Sequence, residues 1–279
     1  MHPHHRPPRP PAGLARPFGT AEAPQDADVT EMVARAIARQ DVLLAFQPVI
    51  SPHQPQEPAF YEGLIRILDE TGCIIPARHF IPVVETTDLG REIDCLALEM
   101  AFYSLGRDPS LRLAINMSAR SITHPQWRQV LERGLAADLT AAERLILEIS
   151  EESAVQMPDK VMDLMTELRA SGVSFALDDF GASYAFLRHL RDFMFDILKI
   201  DGQFVHGIAH NPDNRMLTSS LIDIARHFEM LTLAEGVESA EDAKCLTAMG
   251  IDGMQGHFFG AATITPPWEL ARTSQGTSA

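Results

Sequence analysis

The sequence predicts an α/β barrel of eight strands, one of which runs antiparallel to its neighbours. Eight short apolar segments alternate along the chain with helical patterns, which is typical of repeated strand–helix units. The 279 residues suit one barrel domain, since such barrels commonly use about 250 residues. No GxGxxG or GxxxxGK(S/T) motif occurs, although an open doubly wound sheet commonly carries a glycine-rich phosphate turn.

The barrel is expected to occupy the middle of the chain. Residues 1–27 are rich in proline, histidine and arginine, a composition that predicts a disordered tail. Residues 28–265 are expected to form the barrel domain, and residues 266–279 a C-terminal tail. Helices are predicted at 29–40, 91–105, 124–137, 158–171, 184–191, 212–228 and 239–249. Pro158 and Pro212 mark helix starts, and Gly172 and Gly250 mark helix ends.

The strands are predicted from apolar segments that are bounded by polar residues. They are 44–50, 59–67, 111–117, 143–149, 173–179, 195–200, 230–235 and 252–256. Residues 51–58 join the first two strands and show no helical pattern. A crossover between parallel neighbours needs about a dozen residues or more, so these two strands are expected to form an antiparallel hairpin.

Charge and composition disfavour several classes of function. The net charge of −15 argues against binding to DNA or RNA, whose phosphates require a basic surface. No apolar run approaches the roughly 18–20 residues of a membrane span, and the N-terminus lacks the apolar core of a signal peptide. Cys73, Cys95 and Cys245 are widely separated, which favours reduced thiols in a cytoplasmic protein over a catalytic cysteine.

Polar residues stand at the carboxyl ends of the predicted strands, where barrels of this type collect their functional side chains. Strand alternation places Glu148 on the same inward face as Ile146, and Lys199 on the same face as Ile197. A single buried charge is commonly explained by a salt bridge, but so many on successive strands indicate a site. The set comprises Gln47, Glu62, Asn116, Glu148, Asp178, Asp179, Lys199, Glu235 and Gln255.

Asp178 and Asp179 end one of the apolar strands. Adjacent strand residues face opposite sides of a sheet, so both reach one site only if the chain turns between or just after them, which Gly181 permits. Two carboxylates this close repel each other unless a cation lies between them. The alternative is an ordinary Asp pair that caps or turns the chain.

The residue types predict a centre for one or two Mg²⁺ or Mn²⁺ ions. An all-oxygen ligand set for one ion comprises Glu62, Asn116, Glu148 and Asp178. Asp179 and Glu235 can complete a second ion, with Asp178 as the bridge. Two ions about 3.5–4 Å apart hold the attacking water and the leaving oxygen of a phosphodiester.

Other residues of the set have different predicted roles. Lys199 can hold the attacking water or help to deprotonate it, and Glu235 is the alternative general base if only one ion binds. Arg66 and Gln47 remain for contacts with the substrate, and Arg66 can hold a phosphate with two hydrogen bonds.

Short motifs around these residues follow one another in a fixed order. They are Phe46-Gln47-Pro48, Glu62-Gly63-Leu64 followed by Arg66, Ile115-Asn116-Met117-Ser118, Leu147-Glu148-Ile149-Ser150-Glu151, Leu177-Asp178-Asp179-Phe180-Gly181, Leu198-Lys199-Ile200-Asp201, Ala234-Glu235-Gly236-Val237-Glu238 and Gln255-Gly256. Over about residues 30–262 this ordered set resembles the EAL-domain cyclic di-GMP phosphodiesterases, with Gly63 in place of the usual alanine.

The resemblance implies a modified TIM-type (β/α)8 barrel, commonly a homodimer. It implies hydrolysis of cyclic di-GMP to linear pGpG with Mg²⁺ or Mn²⁺, which lowers the level of this second messenger. Metal binding is implied for Glu62, Asn116, Glu148 and Asp178, with Asp179 as a ligand or near-ligand. The remaining implied roles are water activation by Lys199 and Glu235, loop anchoring by Glu151, and substrate contacts by Gln47, Arg66 and Gln255.

The chain departs from the family pattern in the loop after Asp179. That loop commonly reads DFGTGYSS, whereas residues 179–185 read DFGASYA. We expect Ser183 to strain a position that held glycine, and the loop to hold the second metal loosely. The alternatives to an active enzyme are a weak or inactive receptor for cyclic di-GMP and a partner-binding module. A barrel enzyme acting on enolates fits the ordered motifs poorly.

Regulatory segments are not recognisable in the sequence. There is no GGDEF, receiver or PAS-like pattern, so no sensor is expected within this chain. The alternative is regulation by a separate protein that acts upstream of this chain.

Overall fold

A closed barrel of eight strands, with one additional strand, forms the centre of the protein. The computed structural model describes residues 26–181, 189–267 and 269. The strands in this part are β1 (Val42–Ser51), β2 (Gln54–Leu68), β3 (Ile74–Pro76), β4 (Leu113–Asn116), β5 (Leu145–Ser150), β6 (Ser174–Phe180), β7 (Ile197–Ile200), β8 (Leu231–Ala234) and β9 (Gly253–Met254). The sheet order is β1-β9-β8-β7-β6-β5-β4-β2-β3, and pairing of β1 with β2 closes the barrel. The predicted fold class is confirmed.

Helices surround the barrel and connect its strands. Those in the described residues are α1 (Asp26–Ala38), α2 (Ile81–Val84), α3 (Asp88–Arg107), α4 (Pro125–Ala137), α5 (Glu151–Gln156), α6 (Pro158–Arg169), α7 (Gly202–Val205), α8 (Pro212–His227) and α9 (Ala240–Met249). Their buried residues recur at helical spacing, as Val161, Leu164 and Leu168 do in α6. The pattern that predicts each long helix therefore also supplies the apolar face that packs on the barrel.

β1 is the antiparallel strand of the barrel. It pairs antiparallel with β2, where Gln47 lies opposite Glu62, and with β9, where Ile50 lies opposite Met254. The other neighbouring strands of the barrel pair in parallel. The predicted hairpin is confirmed, but the predicted connection of residues 51–58 is wrong. The strand pairing continues as far as Gln54 opposite Ser51, so most of that segment is part of β2.

All eight predicted strands are present, with limits that differ by a few residues. The strand predicted at 252–256 is only Gly253–Met254, so Gln255 directly follows it. β3, α2, α5 and α7 were not predicted, because elements this short show no clear period. Most of the predicted helix 184–191 lies within residues 182–188, which are outside the described residues. Most of the two predicted tails also lies outside them, while α1 already begins at Asp26.

The helices of the described segments offer no candidate for a membrane crossing, since none is both long enough and sufficiently apolar. The longest, α3, carries acidic and basic residues along its length.

An apolar layer fills the interior of the barrel. It consists of Val49, Ala114, Ile146, Ala176, Ile197 and Leu233, with Phe60 packed against it. Two residues after Ile146 comes Glu148, and two residues after Ile197 comes Lys199. Side chains alternate between the two faces of a strand, so strands that place apolar atoms in the interior also direct these polar residues inward, one level higher.

The loops after β8 and β9 contact each other beside this polar level. The Val237 amide donates to the Gln255 carbonyl at 2.9 Å, and the Phe258 amide donates to the Val237 carbonyl at 3.1 Å. Gly256 has a φ of +156°, and a Cβ atom there would lie 2.1 Å from the Val237 carbonyl oxygen. Glycine is therefore required for the close approach of the two loops, which holds Gln255 at the end of the barrel.

We expect Gly256→Ala to lower the free energy of unfolding by about 1–3 kcal/mol, because the two loop backbones must separate. The matched control is Gly106→Ala in α3, where a Cβ atom would meet no atom within 4 Å. Within a helix that change should be neutral or stabilise by up to about 1 kcal/mol. Urea denaturation measures both variants. A Gly256→Ala protein as stable as the wild type would contradict the argument from close approach.

Candidate functional site

Nine polar side chains meet at the end of the barrel where the parallel strands have their carboxyl ends. They are Gln47, Glu62, Asn116, Glu148, Asp178, Asp179, Lys199, Glu235 and Gln255. The structure therefore brings together the whole set of strand-end residues that the sequence indicated. This polar layer lies directly above the apolar layer of the barrel interior, and Glu62, Glu148, Lys199 and Gln255 in it are buried.

Lys199 lies at the centre of the polar layer. Its ammonium nitrogen Nζ is 2.8 Å from Glu148 Oε2 and 2.8 Å from Glu235 Oε1. The same nitrogen is 3.0 Å from Asp178 Oδ1 and 3.6 Å from Glu62 Oε1. The side chain of Lys199 is only 1% exposed. One buried cation therefore faces four carboxylates, and the layer carries an excess of negative charge.

Amide side chains fix the orientation of Glu62. Asn116 Nδ2 donates to Glu62 Oε1 at 2.8 Å, and Gln255 Nε2 donates to Glu62 Oε2 at 2.6 Å. Gln255 Nε2 also lies 3.3 Å from Gln47 Oε1, and Gln47 Nε2 donates to the Gly260 carbonyl at 3.2 Å. These hydrogen bonds connect β1, β2, β4 and the loop after β9, so the carboxylate of Glu62 is held from several sides.

The local charges set the protonation of Lys199 and Glu62. Burial favours a lower pKa for Lys199, but Asp178, Glu148 and further carboxylates outweigh it and raise the pKa well above its usual value. Burial also acts to raise the pKa of Glu62. The attraction of Lys199 and the hydrogen bond from Gln255 nevertheless hold the pKa of Glu62 below its usual value. Both groups are therefore charged at neutral pH.

The negative charges of Glu148 and Glu235 are balanced less completely by neighbouring positive charge. Burial and the adjacent Glu62 raise the pKa of Glu148 well above its usual value, although Lys199 opposes this. Burial raises the pKa of Glu235 to about 8, again against the attraction of Lys199. Oε1 of Glu148 is buried and has no hydrogen-bond partner among the described residues. A carboxylate in this situation requires a proton or a further cation.

The chain turns at Asp179, and this turn allows the carboxylates of Asp178 and Asp179 to reach the same site. Its backbone is left-handed, with a φ of +57°, and the pairing of β6 with β7 changes register between Leu177 and Phe180. One oxygen from each of Asp178, Asp179 and Glu235 consequently lies within 4.8 Å of the others. Burial and then Asp178 raise the pKa of Asp179 to about 6. The turn is thus a distortion within β6 at Asp179, two residues earlier than Gly181.

The residues of the polar layer fit divalent metal ions. Their donor atoms are carboxylate and amide oxygens, which Mg²⁺ and Mn²⁺ prefer. Asp178, Asp179 and Glu235 form one group of donors, and Asp178 adjoins the buried carboxylate of Glu148 through their shared contact with Lys199. The unpartnered oxygen of Glu148 and the excess negative charge around Lys199 both favour additional positive charge at this place.

Glu151 supports the chain directly after the Asp pair. It is the first residue of α5, it is buried, and its Oε1 accepts a hydrogen bond from the Gly181 amide at 3.3 Å. Gly181 has a φ of +100°, and a Cβ atom there would lie 2.7 Å from the ring of Phe204. The altered loop begins at the next residue, and its residues 182–185 lie outside the described part of the chain, so the prediction of a loosely held second metal stays a prediction.

Arg66 lies farther along β2 than Glu62 and forms no hydrogen bond or ion pair with the described residues of the polar layer. Its guanidinium donates to the Ile65 carbonyl at 2.9 Å and forms no ion pair with a described residue. Burial and the neighbouring Arg78 lower the pKa of Arg66, with Glu62 acting in the opposite direction. The predicted substrate contact of Arg66 therefore stays a prediction.

A cavity of about 350 Å³ opens beside the polar layer. Glu62, Asn116, Asp178 and Asp179 line it on one side, and residues of α2 and α3 continue the lining with mainly apolar atoms. A cavity with a strongly acidic side and an apolar side suits a ligand that combines phosphate groups, with their metal ions, and flat apolar faces.

Three charged residues of this cavity were not predicted as site residues, namely Arg78, Glu85 and Asp94. They lie on a turn and on or beside helices, so the pattern of polar residues at strand ends does not identify them. The sequence gives one indication for Asp94, because this carboxylate stands between Ile93 and Cys95. Both of these residues are buried in α3, and carboxylates are rarely found in such a position. Burial and then Glu152 raise the pKa of Glu85.

Within the described residues, the hydrogen bonds to Asp94 reach one of its two oxygens. Its Oδ2 accepts hydrogen bonds from the Ser118 amide at 2.9 Å and from the Ser121 hydroxyl at 2.6 Å. Burial nevertheless raises the pKa of Asp94 to about 7. Asp94 thereby connects α3 to the segment that follows β4 and Asn116.

We expect Asp94→Asn to stabilise the protein progressively relative to the wild type as the pH rises from about 4 to about 7. The pKa of Asp94 is about 7 in the folded protein, whereas an unfolded Asp titrates near pH 3.9. The stability that protonated Asp94 contributes is complete below the unfolded pKa and is lost as the pH rises through the folded pKa. Asparagine keeps an acceptor oxygen for both serines and does not ionise.

Urea denaturation of both proteins at a series of pH values measures this effect. The difference in the free energy of unfolding between variant and wild type should increase between about pH 4 and 7 and be constant above that range. A difference that does not change with pH would show that Asp94 is ionised throughout in the folded protein.

Comparison with known proteins identifies relatives of this chain. Residues 30–262 match the profile of the EAL domain. The chain is 31% identical over 232 residues to the cyclic di-GMP phosphodiesterase PdeB of Shewanella oneidensis, an alignment that covers 82% of this chain and 27% of PdeB. It therefore spans little more than a quarter of the length of that relative.

Two solved structures have the same architecture. The PaMucR phosphodiesterase in its c-di-GMP complex superposes with a TM-score of 0.77 at 27% identity, covering 87% of this chain and 99% of that one. The FimX EAL domain from Pseudomonas aeruginosa, bound to c-di-GMP, gives a TM-score of 0.77 at 25% identity and covers 86% of this chain and 98% of that one. The similarity thus extends over nearly the whole of both solved domains.

Proposed function

The chain belongs to the EAL domain family, and we propose that it is a metal-dependent phosphodiesterase that hydrolyses cyclic di-GMP to linear pGpG. The observation that carries this proposal is the buried lysine facing four carboxylates beside a cavity at the end of the barrel. The relative PdeB is a cyclic di-GMP phosphodiesterase by name, and PaMucR and the FimX domain were solved with c-di-GMP bound.

In this proposal the polar layer holds Mg²⁺ or Mn²⁺. One ion is assigned to Glu62, Asn116, Glu148 and Asp178. A second is assigned to Asp178, Asp179 and Glu235, which already bring one oxygen each within 4.8 Å of one another. Bound there, the ions supply Lewis acidity that polarises the phosphate and acidifies water. Gln255 and Asn116 hold both oxygens of Glu62 in place without any ion.

Lys199 and Glu235 are proposed to position and deprotonate the attacking water. Lys199 Nζ and Glu235 Oε1 are 2.8 Å apart, so a hydrogen-bond donor and a proton acceptor lie side by side. Lys199 donates to the water oxygen, and where a single ion binds and Glu235 is ionised, Glu235 accepts the water proton. The water oxygen forms its bond to phosphorus as the bond from phosphorus to O3′ breaks. O3′ then takes up a proton, and the product carries a 5′-phosphate.

The substrate is proposed to contact side chains at the rim of the layer. Oε1 of Gln255 is buried and has no hydrogen-bond partner among the described residues, so it is available as an acceptor. Oε1 of Gln47 lies 3.3 Å from Nε2 of Gln255, and Arg66 offers its guanidinium from farther along β2. Glu151 is proposed to hold the chain after the Asp pair during the reaction.

We also propose that the protein acts as a homodimer in the bacterial cytoplasm. The proposal rests on the family resemblance, and the three free cysteines are consistent with a reducing compartment. Analytical ultracentrifugation of the full chain measures the association state directly.

Incubation with cyclic di-GMP tests the proposed function, with pGpG measured by chromatography. We expect turnover with Mg²⁺ or Mn²⁺ and none after chelation. Glu62→Ala or Asp178→Ala should abolish turnover, because each removes an oxygen ligand of the assigned ions. Full activity of either variant would refute the metal assignment. Binding of cyclic di-GMP without any turnover by the wild type would instead identify a receptor.

We expect Lys199→Ala to lower kcat at least about a hundredfold while affinity for cyclic di-GMP changes little, because Lys199 is assigned to the water. Affinity is measured in Ca²⁺ to prevent turnover, and circular dichroism establishes that the variant is folded. Lys244→Ala on the exposed side of α9 is the matched control and should behave as the wild type. Equal losses of rate and affinity would make Lys199 a substrate-binding residue.

A further inference from the structure

Arg78 stands at the rim of the cavity, away from the strand ends. β3 pairs with the far part of β2 and places Pro76 opposite Arg66. The chain then forms a short 3-10 turn, Ala77–His79, which carries Arg78 to the lining of the cavity. Arg78 thus shares one cavity with Glu62, Asn116, Asp178 and Asp179, but it reaches that cavity from another element.

The surroundings of Arg78 are unusual for this chain. The net charge is −15, and most arginines of the described segments pair with a carboxylate, as Arg144 does with Asp138 at 2.7 Å. Arg78 and Arg66 lie close enough to repel each other, and neither forms an ion pair with a described residue. Arg66 donates to a backbone carbonyl, whereas Arg78 is exposed and makes no hydrogen bond within the described part of the chain.

Two adjacent guanidinium groups without carboxylate partners favour the binding of an anion. A cyclic dinucleotide carries two phosphates on opposite sides of its ring, and a single metal centre can hold only the one that is cleaved. The other phosphate would approach a strongly acidic protein with no positive charge to balance its own negative charge. An arginine at the rim of the same cavity supplies the missing positive charge.

We propose that Arg78 is a specificity-determining residue that binds the second, uncleaved phosphate of the cyclic dinucleotide. The inference rests on the proposed function and goes beyond it, because it predicts a preference for substrates with two phosphates over simple phosphodiesters. Arg78 touches no reacting atom and therefore acts on binding, with the rate of the chemical step left unchanged.

The test compares Arg78→Gln and Arg78→Lys on two substrates in the presence of Mn²⁺. With cyclic di-GMP, Arg78→Gln should raise KM about tenfold with kcat nearly unchanged, since a hydrogen bond between two charged groups is lost. Arg78→Lys should lose less than Arg78→Gln, because lysine keeps the positive charge although it lacks the fork of the guanidinium group. With bis(p-nitrophenyl) phosphate, which has a single phosphate, neither variant should change kcat/KM.

Arg112→Gln is the matched control, since Arg112 is exposed and lines a cavity at the opposite end of the barrel. It should leave both substrates unaffected. Equilibrium binding of cyclic di-GMP in Ca²⁺ gives a readout independent of turnover and should show the same loss for Arg78→Gln. A wild-type KM in Arg78→Gln would overturn the inference, and so would an equal loss with bis(p-nitrophenyl) phosphate, which would place Arg78 at the phosphate that is cleaved.

The two proposals fail in distinguishable ways. If the wild type hydrolyses cyclic di-GMP and Arg78→Gln does so equally well, the role of Arg78 is refuted and the proposed function stands. If the wild type hydrolyses only bis(p-nitrophenyl) phosphate and does not bind cyclic di-GMP in Ca²⁺, the proposed substrate is wrong, and the assignment of Arg78 is refuted with it.

Discussion

The site depends on a buried excess of negative charge that one lysine does not balance. Nζ of Lys199 lies within 3.6 Å of four carboxylates, and its side chain is 1% exposed. Burying unpaired carboxylates costs several kcal/mol each, roughly, unless protons or cations compensate them. The raised pKa values of Glu148 and Glu235 show where that compensation is incomplete. The arrangement is costly for a purely structural core, and its oxygen donors are of the kind that Mg²⁺ and Mn²⁺ prefer.

The barrel makes this concentration of charge possible. Alternation along each strand places an apolar residue below every inward polar one, so Ile146 and Ile197 fill the interior that Glu148 and Lys199 close from above. The closed sheet limits how far the polar residues can separate, because each barrel strand that carries them or ends directly before them pairs with a neighbour on both sides. The hairpin of β1 and β2 extends this constraint to Gln47, which no parallel strand carries.

Much of this was accessible from the sequence, and the exceptions have physical causes. Periodicity of two identifies the eight strands and places Glu148 and Lys199 on the inward face, because a buried sheet permits no other register. It does not show that Asp179 becomes left-handed within β6, since that depends on the packing around the strand. It also cannot identify Asp94 or Arg78, because a helix and a short turn bring them to the cavity only through tertiary structure.

The position of bound metal tests the central claim most directly. Crystals of the protein grown with Mn²⁺ would show the ions in an anomalous difference map. The account predicts at least one peak at the end of the barrel, within about 2.0–2.3 Å of oxygens from Glu62, Asn116, Glu148 and Asp178. It also predicts that Nζ of Lys199 remains hydrogen-bonded beside the ion. Full occupancy elsewhere, with no peak among these four residues, would contradict the account.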